Sequence, residues 1–512
     1  MKKIVFITFY DIECIGIRLL SSIAKRKGVQ TDIVILKNEM QRKPVFKTDM
    51  KDDYTYFYGG VLRNAILSAF PPSKHEINLF IQKIIDLKPD LICLSTRTFA
   101  LKLCRKVIPV LRENLPGIPI VSGGWGPTCE PEKFLEFCDY AAIGEGEKTI
   151  EDIVDNLINN KDFKNINNLV YKNNDNTITK NPLYPPLSVS EMNDSLFVDK
   201  DLNNQFLIND NRIQNGQEFY NNDTYSCFIG RGCPLSCSYC MSGTYQVIYK
   251  ENGYNCPKFR IRDVEVVIEE LAIAKQNGAL SIRFMDEVFP FNKEWLEKFF
   301  ELYSQKIGLP FFAYLRLEFH NEETIKELVK HGLTISTVGI QSGSDKLLKE
   351  VLNRKLSSET TLRFAKILKE LDVQFVYHFL TYNPFEKEED LIKSFELCCQ
   401  LPYATNQVYR TTVFPGSLLE NMIKEKNPKF LPSNIYNWYS MLYCMATENP
   451  TFRKISKFIF KHKILKKSPL LLQVFFLPKL IKEIYIFLKT YKKFNRMSAT
   501  YVPHYYQSKI DN

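Results

Sequence analysis

Three cysteines lie close together near the middle of the chain, in a spacing suited to metal binding. Cys233, Cys237 and Cys240 form a C-x3-C-x2-C pattern directly after the strand-like segment 225–229. A cube of four irons takes four ligands, usually thiolates. A compact loop that supplies three thiolates leaves one iron free to bind something that is not protein. The pattern predicts an iron–sulfur cluster with one open iron, where chemistry would take place.

The same cysteines are compatible with two other interpretations. Buried cysteines are common in proteins, and 13 of them in 512 residues place a few near one another by chance. They could also bind zinc, with Cys227, Cys256 or a distant histidine as the fourth ligand. Zinc sites usually come as paired C-x2-C knuckles, and the sequence has no second knuckle. This difference favours the cluster.

The cysteine loop resembles that of the radical S-adenosylmethionine superfamily, and Tyr239, just before the third cysteine, follows the same family pattern. The resemblance implies a 4Fe–4S cluster whose open iron is chelated by the amino and carboxylate groups of S-adenosylmethionine. It also implies one-electron cleavage of that cofactor to methionine and a 5′-deoxyadenosyl radical, which removes hydrogen from an unactivated carbon. The three cysteines would then be both the metal ligands and the catalytic residues.

Residues 1–172 show the pattern of a doubly wound, Rossmann-like parallel sheet, because strand-like runs alternate with helix-period segments. Strands are expected at 4–9, 32–36, 91–95 and 118–122, and helices near 17–27, 77–87 and 101–115. Sheets of this kind bind ligands at the carboxyl ends of their strands. The connection 38–75 is unusually long, and its aromatic residues could cover the edge of a ligand.

The loops at the predicted strand ends are rich in small and polar residues, and glycines there let a large flat or phosphate-bearing ligand approach the backbone. The residues in question are Glu13, Gly16, Ser95, Thr96, Gly123, Gly124, Trp125, Gly144 and Glu145.

In this order, ahead of a cluster loop, these segments resemble the cobalamin-binding domain of one branch of the radical family. The signatures are Gly-Gly-x-x-Pro-Thr at 123–128 and Gly-Glu-Gly-Glu at 144–147. Cobalamin domains that supply a histidine to cobalt use Asp-x-His-x-x-Gly, and here Glu13 takes the histidine position. The resemblance implies that cobalamin binds with no imidazole on its lower face. A flavodoxin-like sheet kept only as a scaffold is the alternative.

The rest of the chain predicts a linker followed by a second α/β domain. Residues 173–222 are rich in Asn, Asp and Pro and show weak periodicity, which is typical of a linker. Residues 223–430 alternate strands and helices again, which indicates a complete or partial (β/α) TIM-type barrel with active residues on the loops after its strands. The expected elements are strands 281–285, 311–315, 334–340 and 374–380 and helices 264–277, 322–331 and 358–371.

Several barrel loops also match the radical family. The resemblance assigns Asp286 and Glu287 as acceptors for the ammonium of the bound methionine moiety and Arg316 as the fork that holds its carboxylate. Gln341 and Ser342 belong to a segment similar to the one that reaches the ribose and carboxylate. For each charged residue, an ordinary solvated or ion-paired loop is the alternative.

Two further residues carry open interpretations. His378 and Tyr382 follow another predicted strand. They could face the substrate, or they could belong to the core.

The positive charge is concentrated near the C-terminus. Of the net charge of +10, residues 453–496 contribute +12, from 13 Lys or Arg against the single Glu483, so the remainder carries −2. Residues 431–512 therefore predict a basic helical region. We favour a helical cap over the barrel, ahead of contact with a membrane surface, and binding of nucleic acid is the least favoured.

The composition indicates a cytoplasmic protein. Asp11 and Glu13 interrupt any signal-peptide core, and no uncharged run reaches the roughly 18 residues that cross a bilayer. An odd number of cysteines without a regular framework fits a reducing compartment. The hydrophobic content of 45% is that of a globular chain.

Cluster and cobalamin together imply methyl transfer to an unactivated carbon of a small-molecule or peptide natural product. One S-adenosylmethionine would supply the methyl group through cobalt, and a second would generate the substrate radical. An electron donor such as flavodoxin or ferredoxin is then required. The alternatives are a rearrangement or cyclisation without methylation, modification of a tRNA base, and a non-enzymatic zinc module.

Overall fold

The structure, a computed structural model, describes residues 1–37, 56–58, 72–97, 100–195, 198–220, 223–469 and 472. It contains two α/β domains and a C-terminal helical region. Most of the connection 38–75, with its side chains, and the basic segment beyond 472 lie outside the described residues.

The secondary structure alternates along most of the chain. The strands are β1 (Lys3–Phe9), β2 (Gln30–Leu36), β3 (Tyr56–Tyr58), β4 (Leu91–Ser95), β5 (Ile120–Gly123), β6 (Tyr140–Ala142), β7 (Leu169–Lys172), β8 (Ile178–Lys180), β9 (Gln205–Asn209), β10 (Arg212–Asn215), β11 (Thr224–Cys227), β12 (Gly230–Gly232), β13 (Phe259–Ile261), β14 (Ser281–Phe284), β15 (Phe311–Leu315), β16 (Leu333–Gln341), β17 (Gln374–Thr381) and β18 (Thr405–Arg410). The helices are α1 (Ile15–Arg26), α2 (Lys74–Leu87), α3 (Leu101–Asn114), α4 (Trp125–Cys129), α5 (Pro131–Phe134), α6 (Glu147–Ile158), α7 (Val189–Ser195), α8 (Gly216–Phe219), α9 (Met241–Glu251), α10 (Val264–Gln276), α11 (Lys293–Lys306), α12 (Glu322–Lys330), α13 (Asp345–Glu350), α14 (Ser358–Glu370), α15 (Glu388–Cys398), α16 (Leu418–Lys426), α17 (Ser433–Glu448) and α18 (Pro450–Lys461).

The first domain is built on one sheet with the strand order β10-β9-β2-β1-β4-β5-β6-β7-β8. The strands from β9 to β6 are parallel to one another. Central strands such as β1 are apolar on both faces because helices cover both sides of the sheet. The strand order reverses between β1 and β4, and the carboxyl ends at such a point form a ligand-binding crevice. The expected Rossmann-like sheet is confirmed.

The segment 173–222, expected to be a linker that does not fold alone, contributes strands to the first sheet. β8 pairs with β7, β9 lies parallel to β2, and β10 forms the edge of the first sheet. The β9–β10 hairpin turns at Asp210 and Asn211, whose φ angles of 53° and 57° suit a two-residue type I′ turn. The polar composition that suggested a linker encodes this turn, and the first sheet therefore extends to residue 215.

The second domain is a partial barrel with the order β11-β14-β15-β16-β17-β18-β3. The strands from β11 to β18 are parallel, as predicted, and each expected strand is present within a few residues. β3 pairs antiparallel with β18, so a strand from the connection 38–75 of the first domain lies at the edge of the barrel sheet. β12 and β13 form a short antiparallel ribbon, and α9 lies between them in the chain.

The described part of the C-terminal region packs against the flank of the barrel. α17 is buried along nearly its whole length and lies against α15 and β18. Its Tyr443 hydroxyl donates to the carbonyl of Leu391 (2.8 Å), and its Tyr439 hydroxyl donates to Glu388 (2.9 Å). Among the described residues, no helix has both the length and the apolar character needed to cross a membrane.

We predict that Leu442→Ala destabilises the protein by about 2–5 kcal/mol, because the substitution leaves a cavity where α17 meets the barrel. Leu442 is fully buried. The matched control is Leu418→Ala, at a side chain that is 48% exposed, which should change stability by no more than about 0.5 kcal/mol. Urea unfolding followed by circular dichroism measures both. Equal midpoints for the two variants would show that α17 contributes no packing.

Candidate active site

The cysteine loop begins at the end of β12 and ends at the start of α9. Cys233 and Cys237 are 5% and 9% exposed, and Cys240 is half-buried and donates its N–H to the Cys237 carbonyl (3.1 Å). Gly232 has a φ of +86°, and a Cβ there would lie 2.3 Å from the Lys258 carbonyl. A glycine is therefore required where the ribbon enters the loop.

The surroundings of the thiols suit iron binding. The pKa of Cys233 is raised to about 11, chiefly by burial and in smaller part by the nearby Cys237. The positive charge of Arg316 opposes the effect of burial and lowers the pKa of both Cys233 and Cys237. Arg354 also lowers the pKa of Cys237. Cationic neighbours favour thiolates, which are the form that binds metal. Within the described residues no three His, Cys, Asp or Glu side chains lie close enough together to form a ready metal-ion site.

The cysteines considered as a fourth zinc ligand lie elsewhere. Cys227 is fully buried, and burial raises the pKa of its thiol well above the usual range, with further effects from Glu270 and Arg262 rather than from the loop cysteines. The Cys256 thiol lies 3.7 Å from the carbonyl of Pro257. Three thiolates without a fourth fit a cluster with an open iron better than a closed zinc site.

Asp286 fixes the backbone that leads into the cysteine loop. Its carboxylate accepts hydrogen bonds from the amides of Ile229 (3.0 Å) and Gly230 (2.7 Å). Burial raises the pKa of Asp286 to about 7, and the two amides act against this. We expected this carboxylate to face a cofactor ammonium. The structure instead directs its oxygens to the chain before the loop, and Glu287 is left to fill the predicted role.

Two arginines, Arg316 and Arg231, act electrostatically on Glu287. Burial raises its pKa, whereas Arg316 and Arg231 lower it. The Arg316 Nε also donates to the Glu287 carbonyl (3.3 Å). The carboxylate of Glu287 could accept from the ammonium of an amino acid, and the guanidinium of Arg316 could bind its carboxylate. The contact of Glu287 with the cofactor ammonium stays a prediction that this arrangement supports.

Arg316 and Gln341 converge over a glycine. A Cβ at Gly339 would lie 2.6 Å from Arg316 Nη1 and 2.9 Å from Gln341 Nε2. Gln341 has a φ of +70° after an irregularity in the β16–β17 register. A left-handed non-glycine residue costs about 1–3 kcal/mol and persists where its surroundings fix it. The two side chains predicted to hold S-adenosylmethionine are therefore brought to one place at the carboxyl ends of β15 and β16.

Two other predicted cofactor residues have structural contacts. The Ser342 hydroxyl lies 3.3 Å from that of Ser394 and accepts from the Ser344 amide (3.1 Å), which builds the turn after β16. Tyr239 packs against a leucine cluster, and its hydroxyl accepts from Arg354 (3.4 Å). Their direct contact with a cofactor stays a prediction.

The loops of the first sheet meet at its carboxyl edge. The Thr96 amide donates to the Gly123 carbonyl (3.0 Å). Gly124 has a φ of +94°, and a Cβ there would lie 2.8 Å from the Thr96 carbonyl and 3.4 Å from the Ser95 hydroxyl. At Gly16 a Cβ would meet nothing within 4 Å, so the start of α1 borders open space. This glycine-lined edge fits a large flat ligand.

Glu13 projects from the loop after β1 toward the barrel. Both of its carboxylate oxygens are buried without a hydrogen-bond partner. Arg283 on β14 lies 3.9 Å away. Burial raises the pKa of Glu13, and Arg283 lowers it. Buried polar atoms normally form hydrogen bonds. The amide groups around a corrin ring could donate such bonds to the two carboxylate oxygens of Glu13. The residues present therefore fit cobalamin at this edge.

Trp125 and Gly144 contact the helix that follows the cysteine loop. The Trp125 ring meets Tyr245 of α9 edge-on at 5.7 Å. A Cβ at Gly144 would lie 2.5 Å from the Tyr249 hydroxyl. Both residues therefore lie where the first domain meets the second, and their contact with cobalamin stays a prediction.

Glu145 has protein partners in the structure. Its carboxylate is buried and ion-paired with Arg260 (2.7 Å) and Arg231 (3.1 Å) of the second domain. The Gly-Glu-Gly-Glu signature was expected to face a cofactor. The carboxylate instead joins the two domains, because the arginines that precede and face the cysteine loop need a counter-charge.

His378 lies in the interior of the barrel. Gly339, His378 and Gln407 are register neighbours on β16, β17 and β18. The Nε2 atoms of His378 and Gln407 are buried without a hydrogen-bond partner. The pKa of His378 is lowered to about 4, chiefly by burial and also by the charge of Arg316, whereas Gln407 acts in the opposite direction. The imidazole is therefore neutral at pH 7 and offers unused hydrogen-bonding capacity.

Tyr382 belongs to the core. Its hydroxyl donates to Asn437 and to the Ser433 carbonyl of α17 (3.3 Å).

Sequence reasoning missed the buried Arg354–Glu318 ion pair (2.7 Å) below the cysteine loop. Neither residue stands in a recognisable motif, and only the fold brings them together.

We predict that His378 makes the protein less stable toward acid. A histidine whose folded pKa is lowered is charged more readily in the unfolded chain, so stability falls as pH decreases from about 6.5 toward 4. Across that window wild type should lose up to about 3 kcal/mol relative to His378→Gln. Urea unfolding at several pH values measures the difference, with the exposed His462→Gln as control. Parallel stability curves for wild type and His378→Gln would contradict the assignment.

Comparison with known proteins agrees with this geometry. Residues 227–398 match the radical SAM superfamily, and residues 66–154 match the B12 binding domain. An uncharacterized methyltransferase of Pyrococcus horikoshii is 25% identical over 420 residues, which cover 79% of this chain and 86% of the relative.

Two solved structures share the fold. The cobalamin-dependent S-adenosylmethionine radical enzyme OxsB, with aqua-cobalamin and S-adenosylmethionine bound, has a TM-score of 0.63 at 14% identity, over 94% of this chain and 75% of its own. The methyltransferase TsrM from Kitasatospora setae has a TM-score of 0.58 at 15% identity, over 83% and 76%. The chain therefore contains a radical SAM domain and a B12 binding domain, and these two domains imply a 4Fe–4S cluster, S-adenosylmethionine and cobalamin as its cofactors.

Proposed function

We propose that this protein transfers a methyl group to an unactivated carbon of a small-molecule or peptide natural product. The observation that carries the proposal is the direct junction of the two domains. The glycine-lined edge of the first sheet and the cysteine loop are joined through Glu145 and Arg231. The P. horikoshii relative and TsrM are both named methyltransferases, which supports the choice of reaction.

The cofactors supply the difficult chemistry, and the chain positions them. When bound, the cluster supplies the electron that splits S-adenosylmethionine into methionine and a 5′-deoxyadenosyl radical, and cobalamin supplies the methyl carrier. Cys233, Cys237 and Cys240 would hold the cluster. Arg316, with Glu287, would fix the carboxylate and ammonium of the methionine moiety.

The substrate would lie in the interior of the barrel. His378 and Gln407 offer unpartnered polar atoms there. Since buried polar atoms normally form hydrogen bonds, a hydroxyl or amide of the substrate would form hydrogen bonds with these two atoms. The neutral imidazole can either donate or accept a hydrogen bond. An electron donor such as flavodoxin or ferredoxin would reach the cluster from outside the barrel.

The first test is whether cobalamin binds at the edge that holds Gly16. Protein prepared without oxygen and incubated with cobalamin should keep a stoichiometric amount of corrin through gel filtration. Gly16→Leu should lose the corrin because its side chain fills the open space, whereas Gly16→Ala should keep it. Colourless wild type would remove methyl transfer and leave the radical chemistry. Equal retention by the leucine variant would place the corrin elsewhere.

The second test concerns the metal. We predict that Cys237→Ala loses most of its iron and sulfide after anaerobic reconstitution, together with the broad visible absorption of the cluster. Cys256→Ala should retain both, because that thiol lies outside the loop. Iron, sulfide and zinc analysis of the two variants provides the measurement. Zinc without sulfide in wild type, or loss of metal from Cys256→Ala alone, would support a zinc module.

A further inference from the structure

The ribbon that leads into the cysteine loop carries two arginines directly opposite each other. Arg231 on β12 and Arg260 on β13 are register partners in an antiparallel pair. Side chains of such partners lie on one face a few ångströms apart, and like charges there are destabilising. The ribbon therefore cannot balance its own positive charge. This charge lies close to the cysteine loop, because Cys233 follows Arg231 by only two residues.

The counter-charges come from the first domain. Glu145 accepts from Arg260 at 2.7 and 3.2 Å and lies 3.1 Å from Arg231. Glu147, the next acidic residue of the same signature, pairs with Arg231. The side chains of Glu145, Glu147 and Arg260 are each no more than 8% exposed. Solvent therefore screens these ion pairs weakly.

A third contact holds the carboxylate in place. The Leu187 amide donates to Glu145 (2.6 Å), and the Leu187 carbonyl accepts from Arg260 (2.7 Å). Although burial raises the pKa of Glu145, the two arginines hold it below its ordinary range, so the group stays ionised. Removal of one partner from a buried ion pair leaves the other charge uncompensated.

We propose that Glu145 and Glu147 of the cobalamin-binding domain are positioning residues for the iron–sulfur cluster. They neutralise the facing Arg231 and Arg260 and thereby fix the ribbon from which Cys233 emerges. The inference rests on the cluster of the proposed function. It adds that the first domain, besides binding cobalamin, sets the geometry and the potential of the cluster.

The test uses the full chain, reconstituted without oxygen. Glu145→Gln and Glu147→Gln keep the shape of the side chain and remove its charge. Two measurements are made on each variant: the rate at which a chelator removes iron, and the midpoint potential of the cluster. The control is Glu136→Gln, which breaks the exposed Arg105–Glu136 ion pair of the same domain (2.8 Å).

We expect iron loss about tenfold faster in Glu145→Gln, in line with other residues that orient metal ligands. The potential should shift to more positive values in both variants, because a negative charge near the cluster is lost. Glu136→Gln should match wild type. Glu145→Asp, which keeps the charge, should recover part of the slow iron release.

The outcomes separate this inference from the proposed function. Wild-type iron release and wild-type potential in both glutamine variants would overturn the positioning role and leave the enzyme assignment intact. A wild-type chain that holds no cluster would overturn the proposed function itself. The Glu147→Gln variant separates a positioning role from simple unfolding. In that variant Arg231 still pairs with Glu145, and circular dichroism shows whether the protein is folded.

Discussion

The ion pairs between Arg231 and the two glutamates of the first domain are the contact on which the site depends. Arg231 stands at the entrance of the cysteine loop, and its charge is balanced from another domain. Behind it, Asp286 holds the amides of Ile229 and Gly230. The loop is thus fixed from two sides before any metal binds, which limits the freedom that cluster binding must remove.

The barrel completes the site with polar groups at the carboxyl ends of its strands. Gly339 lets Arg316 and Gln341 approach each other, and Gln341 holds a left-handed conformation there. His378 and Gln407 lie deeper, with unpartnered atoms. Strained backbone and unsatisfied polar atoms both cost stability. Both features occur here on neighbouring strands of the barrel, as they do in sites arranged for ligands rather than for folding alone.

Much of this arrangement could be predicted from the sequence, because it depends on local patterns. The alternation of apolar strand-like runs with helix-period segments predicted both sheets, and the spacing of the cysteines predicted the loop. The strands at 205–215 were missed because they are short and lie in a segment rich in Asn and Asp, and β9, with only three consecutive apolar residues, is completed by pairing with β2. Glu145 and Asp286 were recognised as important but given other partners. Their contacts join residues far apart in the chain, and a strand-end position alone does not show which way a carboxylate points.

The account rests on an iron that no cysteine of the loop reaches and that S-adenosylmethionine can therefore bind. The most direct measurement is the electron paramagnetic resonance spectrum of the reduced cluster in wild-type protein, recorded with and without S-adenosylmethionine. We expect the cofactor to change the g values, because it becomes a ligand of the cluster. Identical spectra at saturating cofactor would mean that the cluster is closed by protein, and the central claim would be wrong.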